Sequence, residues 1–114
     1  MNTALWPIVA HITATLNQAN GTGEHEIAMR LLKVTEEAGE VAAAYIGSTG
    51  QNPRKGTTHT THDVAQELAD VIIAAAVALH SLTNQAPAVL DAKLHAAARR
   101  LHTDPALPAT KRDA

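Results

Sequence analysis

Two acidic clusters hold the residue types best suited to chemistry in this chain: Glu36-Glu37-Ala38-Gly39-Glu40 and Glu67-Leu68-Ala69-Asp70. Each lies inside a stretch that reads as helix, where residues three or four apart share a face. At about 100° per residue, Glu36, Glu37 and Glu40 fall within a sector of about 100°, and Lys33 falls in the same sector. Asp63, Glu67 and Asp70 fall within about 80° of one another by the same count. These two sectors hold six of the chain's eleven acidic residues. If the two faces meet, they form a cage of hard oxygen ligands. Such a cage needs a cation, because two carboxylates about 5 Å apart repel by roughly 3 kcal/mol at an effective dielectric near 20. Mg²⁺ or Mn²⁺ suits an all-oxygen site of this kind.

The elements around the clusters bear on whether the faces meet. Ile27, Leu31, Val34, Ala38, Val41, Ala42 and Tyr45 form one apolar face on a helix expected over 24–46. The three glutamates lie broadly opposite that face. Taken alone, this describes a solvated acidic side with Lys33 as its ion-pair partner. The second cluster differs. It immediately precedes residues 71–79, which carry no polar side chain, on a helix expected over 62–82. A helix apolar on every side must be covered on every side. The other helices of one small chain can hardly do that, so a homodimer is expected, with this helix at or near the interface. Asp63 either joins the acidic site or stabilises the start of its helix, where Thr60 or Thr61 is the expected cap.

A first helix is expected to start at a cap on Asn2 or Thr3, with Pro7 in its first turn. Leu5, Ile8, Val9, Ile12 and Leu16 form its stripe, and it ends near Asn20-Gly21-Thr22-Gly23. Residues 47–61 read as a loop, broken by Gly47, Gly50, Pro53 and Gly56, with two cations in it, Arg54 and Lys55. Pro87 opens a fourth helix running to about 102, with Val89, Leu90, Leu94, Ala97 and Leu101 inward and Lys93, Arg99 and Arg100 making it basic. Residues 103–114 read as a frayed tail.

The 114 residues suit one domain. One Trp, one Tyr and no Phe leave an aliphatic, Ala-rich core, which favours close-packed helices over sheets. Trp6 and Tyr45 are expected in that core. With no Cys there is no disulfide framework and no thiolate metal site. A formal net charge of −2 gives no reason to expect nucleic acid or an acidic membrane as partner. No basic segment followed by an apolar run opens the chain, and the run over 71–79 is short of a membrane span. The expected location is the cytoplasm.

Lys33-Val34-Thr35-Glu36-Glu37-Ala38-Gly39-Glu40-Val41, with 26 residues separating Glu40 from Glu67-Leu68-Ala69-Asp70-Val71, resembles the MazG-like nucleoside triphosphate pyrophosphohydrolases of the all-α NTP pyrophosphatase superfamily. That signature is Glu-Glu-x-x-Glu, a variable spacer, then Glu-x-x-Asp. The resemblance spans roughly residues 5 to 102. It implies an all-α, four-helix MazG-like bundle completed by dimerisation, as a dimer or dimer of dimers, with residues 1–102 as the domain and 103–114 as a flexible tail. It implies Glu37, Glu40, Glu67 and Asp70 as Mg²⁺ ligands, with Glu36 a further ligand or the holder of the attacking water. The implied reaction is hydrolysis between the α and β phosphates of a nucleoside triphosphate, and Lys33, Arg54 and Lys55 are candidate phosphate-binding cations. Lys93 and Arg100 match a Lys and an Arg of the family's last helix. The Asn four residues after that Lys is here Ala97, so the family's substrate-side amide is missing.

Other readings are weaker. His59 and His62 find no third zinc ligand nearby, and no Glu-x-x-His pair supports a di-iron bundle. A non-catalytic helical dimerisation module that keeps a cation site is the alternative that Ala97 favours. The same fold acting on phosphoribosyl-ATP or a signalling nucleotide is another.

Overall fold

A computed structural model describes residues 4–103. They form four helices, α1 (Leu5–Asn20), α2 (Glu24–Thr49), α3 (Thr61–Leu82) and α4 (Ala86–Thr103), and no strand among the described residues. The all-α expectation holds. The chain divides at residues 84 and 85 into two compact units, the first with α1, α2 and α3, the second with α4. Residues 104–114, the bulk of the expected tail, and the expected caps Asn2 and Thr3 lie outside the described residues.

In the first unit Val9 of α1 and Ala76 and Val77 of α3 are buried against one another, with Leu5, Trp6, Ile12 and Leu16 packed around them. The stripe predicted for α1 is the stripe that packs, apart from Ile8, which is 56% exposed. Thr13 is buried on the same helix, and its hydroxyl donates to the Val9 carbonyl at 2.8 Å, so it leaves no polar atom unpaired.

Two boundaries differ from expectation. α2 runs three residues past 46, through Gly47, and ends at Gly50, whose left-handed φ of 65° places it just past the last turn. Gly47 is no breaker. A side chain there would meet His59 Nδ1 and Thr58 Oγ1 at well under contact distance, because the returning loop lies against the helix. Thr58 N–H donates to the Gly47 carbonyl at 3.0 Å and pins that approach. Only residues 50–60 are left as the connection.

α3 begins as expected. The Thr60 hydroxyl accepts from Asp63 N–H at 3.1 Å, and the Asp63 carboxylate accepts from Thr60 N–H at 2.8 Å. This reciprocal pair satisfies two amides that the first turn would otherwise leave without acceptors. It also decides the role of Asp63, which serves the cap rather than the acidic site.

The apolar faces are covered less than the sequence suggested. Ala76, Val77 and Ala78 of α3 are buried, but Leu68 and Ile72 are exposed, the latter at 62%. On α2, Leu31, Tyr45 and Ile46 are exposed. Tyr45 is therefore not a core residue, and the face predicted to be buried on α2 looks largely outward. On α4, Val89, Leu94 and Leu101, expected inward, are exposed. α3 is by length and composition alone apolar enough to cross a membrane. Its three carboxylates, Asp63, Glu67 and Asp70, all lie in its first half.

Hydrogen bonds from Thr60, first through its backbone N–H, hold the Asp63 carboxyl below the usual aspartate range. A lowered folded-state value stabilises the fold above the ordinary range, and the effect is lost as pH falls through the lowered value. Asp63→Asn is therefore expected to destabilise the protein at pH 7 and to flatten the fall of its thermal midpoint below about pH 4, measured by circular dichroism. An unchanged acid limb in the variant would exclude this role.

Candidate metal centre and cleft

Glu37 sits in the second half of α2 and Glu67 and Asp70 sit in the first half of α3. The two helices pack together, and the three carboxylates each bring an oxygen within 4.8 Å of the others. Glu37 and Glu67 are half-buried and Asp70 is exposed. The residue that points across to α3 thus comes from the side of α2 that the sequence assigned to solvent. Among the described residues no other group of three or more His, Asp or Glu side chains converges in this way. Glu36 and Glu40 are exposed and stand outside the group. His59 and His62 join no such group, and His59 Nδ1 instead pairs with Thr58 Oγ1 at 2.9 Å.

Lys33 lies beside the cluster. Its Nζ is 2.9 Å from Glu36 and 3.8 Å from Glu37. The hydrogen bond to Glu36 is the main cause of a raised Lys33 pKa, with the charges of Glu36, Glu37 and Asp70 adding to it. The ion pair expected on the acidic face is present, with Lys33 paired to Glu36 and Glu37. Arg54 and Lys55 lie on the connection between α2 and α3, in a turn closed by Asn52, whose side-chain oxygen accepts from Arg54 N–H and whose carbonyl accepts from Lys55 N–H. Lys93 and Arg100 belong to α4, in the second unit.

The acidic group opens onto a cleft of about 460 Å³ formed by α1, α2 and α3. Lys33, Glu37 and Asp70 line one end of it. Ile12, Leu16, Met29, Ile73 and Val77 supply apolar walls. Asn20, Glu26 and Arg30 line the other end. A cleft of this size, mostly apolar with a few converging polar groups, is the usual form of a small-molecule site.

The sequence reading missed Arg30. It is 5% exposed, and its guanidinium ties the three helices of the unit together. Nε donates to Glu26 at 2.8 Å, one terminal nitrogen donates to Asn17 of α1 and Ser81 of α3, both at 2.9 Å, and the other donates to the Gly21 carbonyl that follows α1. Ser81 passes its own proton to the Val77 carbonyl at 2.7 Å. The bond from Arg30 keeps the Glu26 carboxyl below its ordinary range despite partial burial, with Asn20 contributing further. A signal existed in the sequence. Glu26, Arg30, Lys33 and Glu37 step by four, three and four, which places them within about 60° of one another on α2.

No protein-family model, curated protein or solved structure matches this chain.

Two outcomes follow from this geometry. A pair of unit charges 4.8 Å apart repels by about 3 kcal/mol at an effective dielectric near 20 and by just under 1 kcal/mol in water. Asp70→Asn should therefore raise the thermal midpoint in chelator, while Mn²⁺ or Mg²⁺ raises the midpoint of the wild type and not of the variant. A wild-type midpoint indifferent to millimolar Mn²⁺ would show that the carboxylates hold no ion. Arg30→Ala strips four groups of their donor at once and should lower stability by about 3 kcal/mol, read from urea midpoints. A loss under 1 kcal/mol would mean that the guanidinium is not what joins the three helices.

Proposed function

We propose that this chain is a MazG-like nucleoside triphosphate pyrophosphohydrolase, cleaving between the α and β phosphates to give a nucleoside monophosphate and pyrophosphate. Its task in this reading is the removal of surplus or noncanonical nucleotides in the cytoplasm. One observation carries the reading: Glu37, Glu67 and Asp70 converge within 4.8 Å at one end of an apolar cleft large enough for a nucleoside. Three carboxylates contributed by two helices are hard oxygen donors of the kind Mg²⁺ and Mn²⁺ prefer. When bound there, such an ion supplies positive charge to a triphosphate and acidifies a coordinated water.

The chain's own residues have separate tasks in this reading. Glu37, Glu67 and Asp70 hold the ion. Glu40 lies one turn beyond Glu37 and adds a carboxylate for a further ion. Glu36, exposed beside the cluster, orients the attacking water and takes its proton as the water oxygen bonds to the α phosphorus. The bond from that phosphorus to the bridging oxygen breaks, and pyrophosphate leaves. Lys33 at the acidic end of the cleft, and Arg54 and Lys55 on the connection, balance phosphate charge. The apolar walls take the nucleoside. Lys93 and Arg100, on α4 in the second unit, are assigned no contact with the substrate.

A homodimer belongs to the same proposal. Leu68 and Ile72 on α3 and Leu31, Tyr45 and Ile46 on α2 are large apolar side chains left exposed in one chain, and a second copy would remove them from water. No nucleic acid and no membrane is part of the proposal.

Incubated with Mg²⁺ and a panel of ribo- and deoxyribonucleoside triphosphates, the protein is expected to release monophosphate and pyrophosphate. Glu37→Gln and Asp70→Asn should each lower the rate by about 100-fold or more, at least the cost of losing a group that merely supports a metal ligand, with the helical spectrum unchanged. Light scattering on the same preparation should give twice the mass of one chain. Release of inorganic phosphate, or no product with any nucleotide, would remove the hydrolase reading. No turnover together with a cation-dependent midpoint would leave the non-catalytic dimerisation module in its place.

A further inference from the structure

The end of the cleft remote from the acidic cluster has a hydrogen-bonding character of its own. Arg30 and Asn20 both donate to the same oxygen of Glu26, Oε2, at 2.8 and 3.3 Å. Among the described residues Oε1 takes no hydrogen bond, although the Glu26 side chain is only 15% exposed and lines the cleft. A carboxylate is an acceptor on both oxygens. Four of the five N–H groups of Arg30 are already turned toward Glu26, Asn17, Ser81 and Gly21, so the guanidinium is largely spent on the fold. Asn20 uses one amide N–H on Glu26 and keeps a second. The end therefore offers one strong acceptor, Glu26 Oε1, beside the remaining amide N–H of Asn20.

The distance is also informative. Glu26 and Glu37 are eleven residues apart on one straight face of α2, a rise of about 16 Å. A ring, a sugar and a phosphate chain laid end to end have that order of length. A ligand with its phosphates at Glu37 and Asp70 thus reaches Glu26 with the far edge of its ring, between the side chains of Ile12 and Leu16 on one side and Ile73 and Val77 on the other.

We infer that Glu26, with Asn20, selects the ring of the substrate, and that the ring it selects carries an exocyclic amine next to a ring nitrogen, as cytosine and adenine do. The amine donates to Glu26 Oε1, and the ring nitrogen accepts from the Asn20 amide. Uracil and thymine fit badly. Their single ring N–H lies between two carbonyls, so bringing it to Oε1 forces one carbonyl oxygen against the carboxylate. A site whose polar groups are left unpaired or opposed by the wrong ring discriminates strongly, because those groups have already given up water. The two donors hold Glu26 in place and keep it ionised against the opposing effect of burial, which makes its free oxygen a fixed reader rather than a mobile surface charge. This inference rests on the pyrophosphohydrolase reading for the orientation of the ligand, but its own contacts are testable without turnover.

The test is equilibrium binding of CMP, AMP and UMP to the full chain in Mg²⁺, followed by titration calorimetry and by the methyl resonance of Met29 in the cleft wall. CMP and AMP are expected to bind at least tenfold more tightly than UMP. Glu26→Gln puts an amide where the carboxylate was and should bring the ratio near one. Asn20→Asp, on an exposed side chain that makes no bond to Arg30 and leaves that residue all four of its partners, should weaken CMP and AMP at least tenfold. Equal affinity for the three nucleotides in the wild type, no binding of any of them, or a preference that survives both substitutions overturns the inference. Turnover of CTP, ATP and UTP on the same protein separates the two claims. Equal kcat/KM for all three would overturn the ring preference while the hydrolase reading stands. Glu26-dependent binding of CMP without cleavage of any triphosphate would overturn the hydrolase reading while the ring preference stands.

Discussion

A single buried guanidinium sets the arrangement of the first three helices. Arg30 is held by the Glu26 carboxylate on its own helix, by Asn17 and the Gly21 carbonyl at the end of α1, and by Ser81 near the end of α3. The apolar core beside it is small, with Val9, Ala76 and Val77 at its centre. Packing of Ala and Val leaves sliding of one helix past another nearly neutral in energy. Hydrogen bonds to a charged group do not, since a shift of one residue strands several buried polar atoms. The register so imposed on α2 and α3 is what brings Glu37 opposite Glu67 and Asp70. The acidic group and the cleft are consequences of a contact at the other end of the helix pair.

Most of the helical layout was legible in the sequence. Turn residues marked the C-terminal end of α1 and the start of α3, and the Thr60–Asp63 box obeys local rules that need no tertiary information. Gly47 misled because a glycine within a helix looks the same whether it breaks the helix or makes room for a neighbour. Only the return of Thr58 and His59 to that spot distinguishes the two. Tyr45 and Leu31 misled because the pattern says which residues share a face and not which face is covered.

The acidic motifs were legible as a pair, but the side from which Glu37 acts was not. Counting apolar residues placed the glutamates opposite the packed face of α2. The structure packs the polar stripe inward instead, with Glu26, Arg30, Lys33 and Glu37 all lining the cleft. A buried arginine bonded at every turn looks, in a sequence, like any arginine on a soluble helix. Polar residues at helical spacing deserve the same count as apolar ones, since a satisfied polar face can be an interior face.

The pinned connection between α2 and α3 has a practical consequence. Gly50 and Thr58 each donate to the Gly47 carbonyl, and the tip between them closes on itself through Asn52. The outer arc around Pro53 is thereby decoupled from the helices it joins. A fluorophore attachment point or a short peptide epitope grafted there would leave the anchoring bonds and the Thr60 cap intact. The same graft one turn earlier, at Gly47, would collide with the returning strand of the connection and loosen the very segment it was meant to report on.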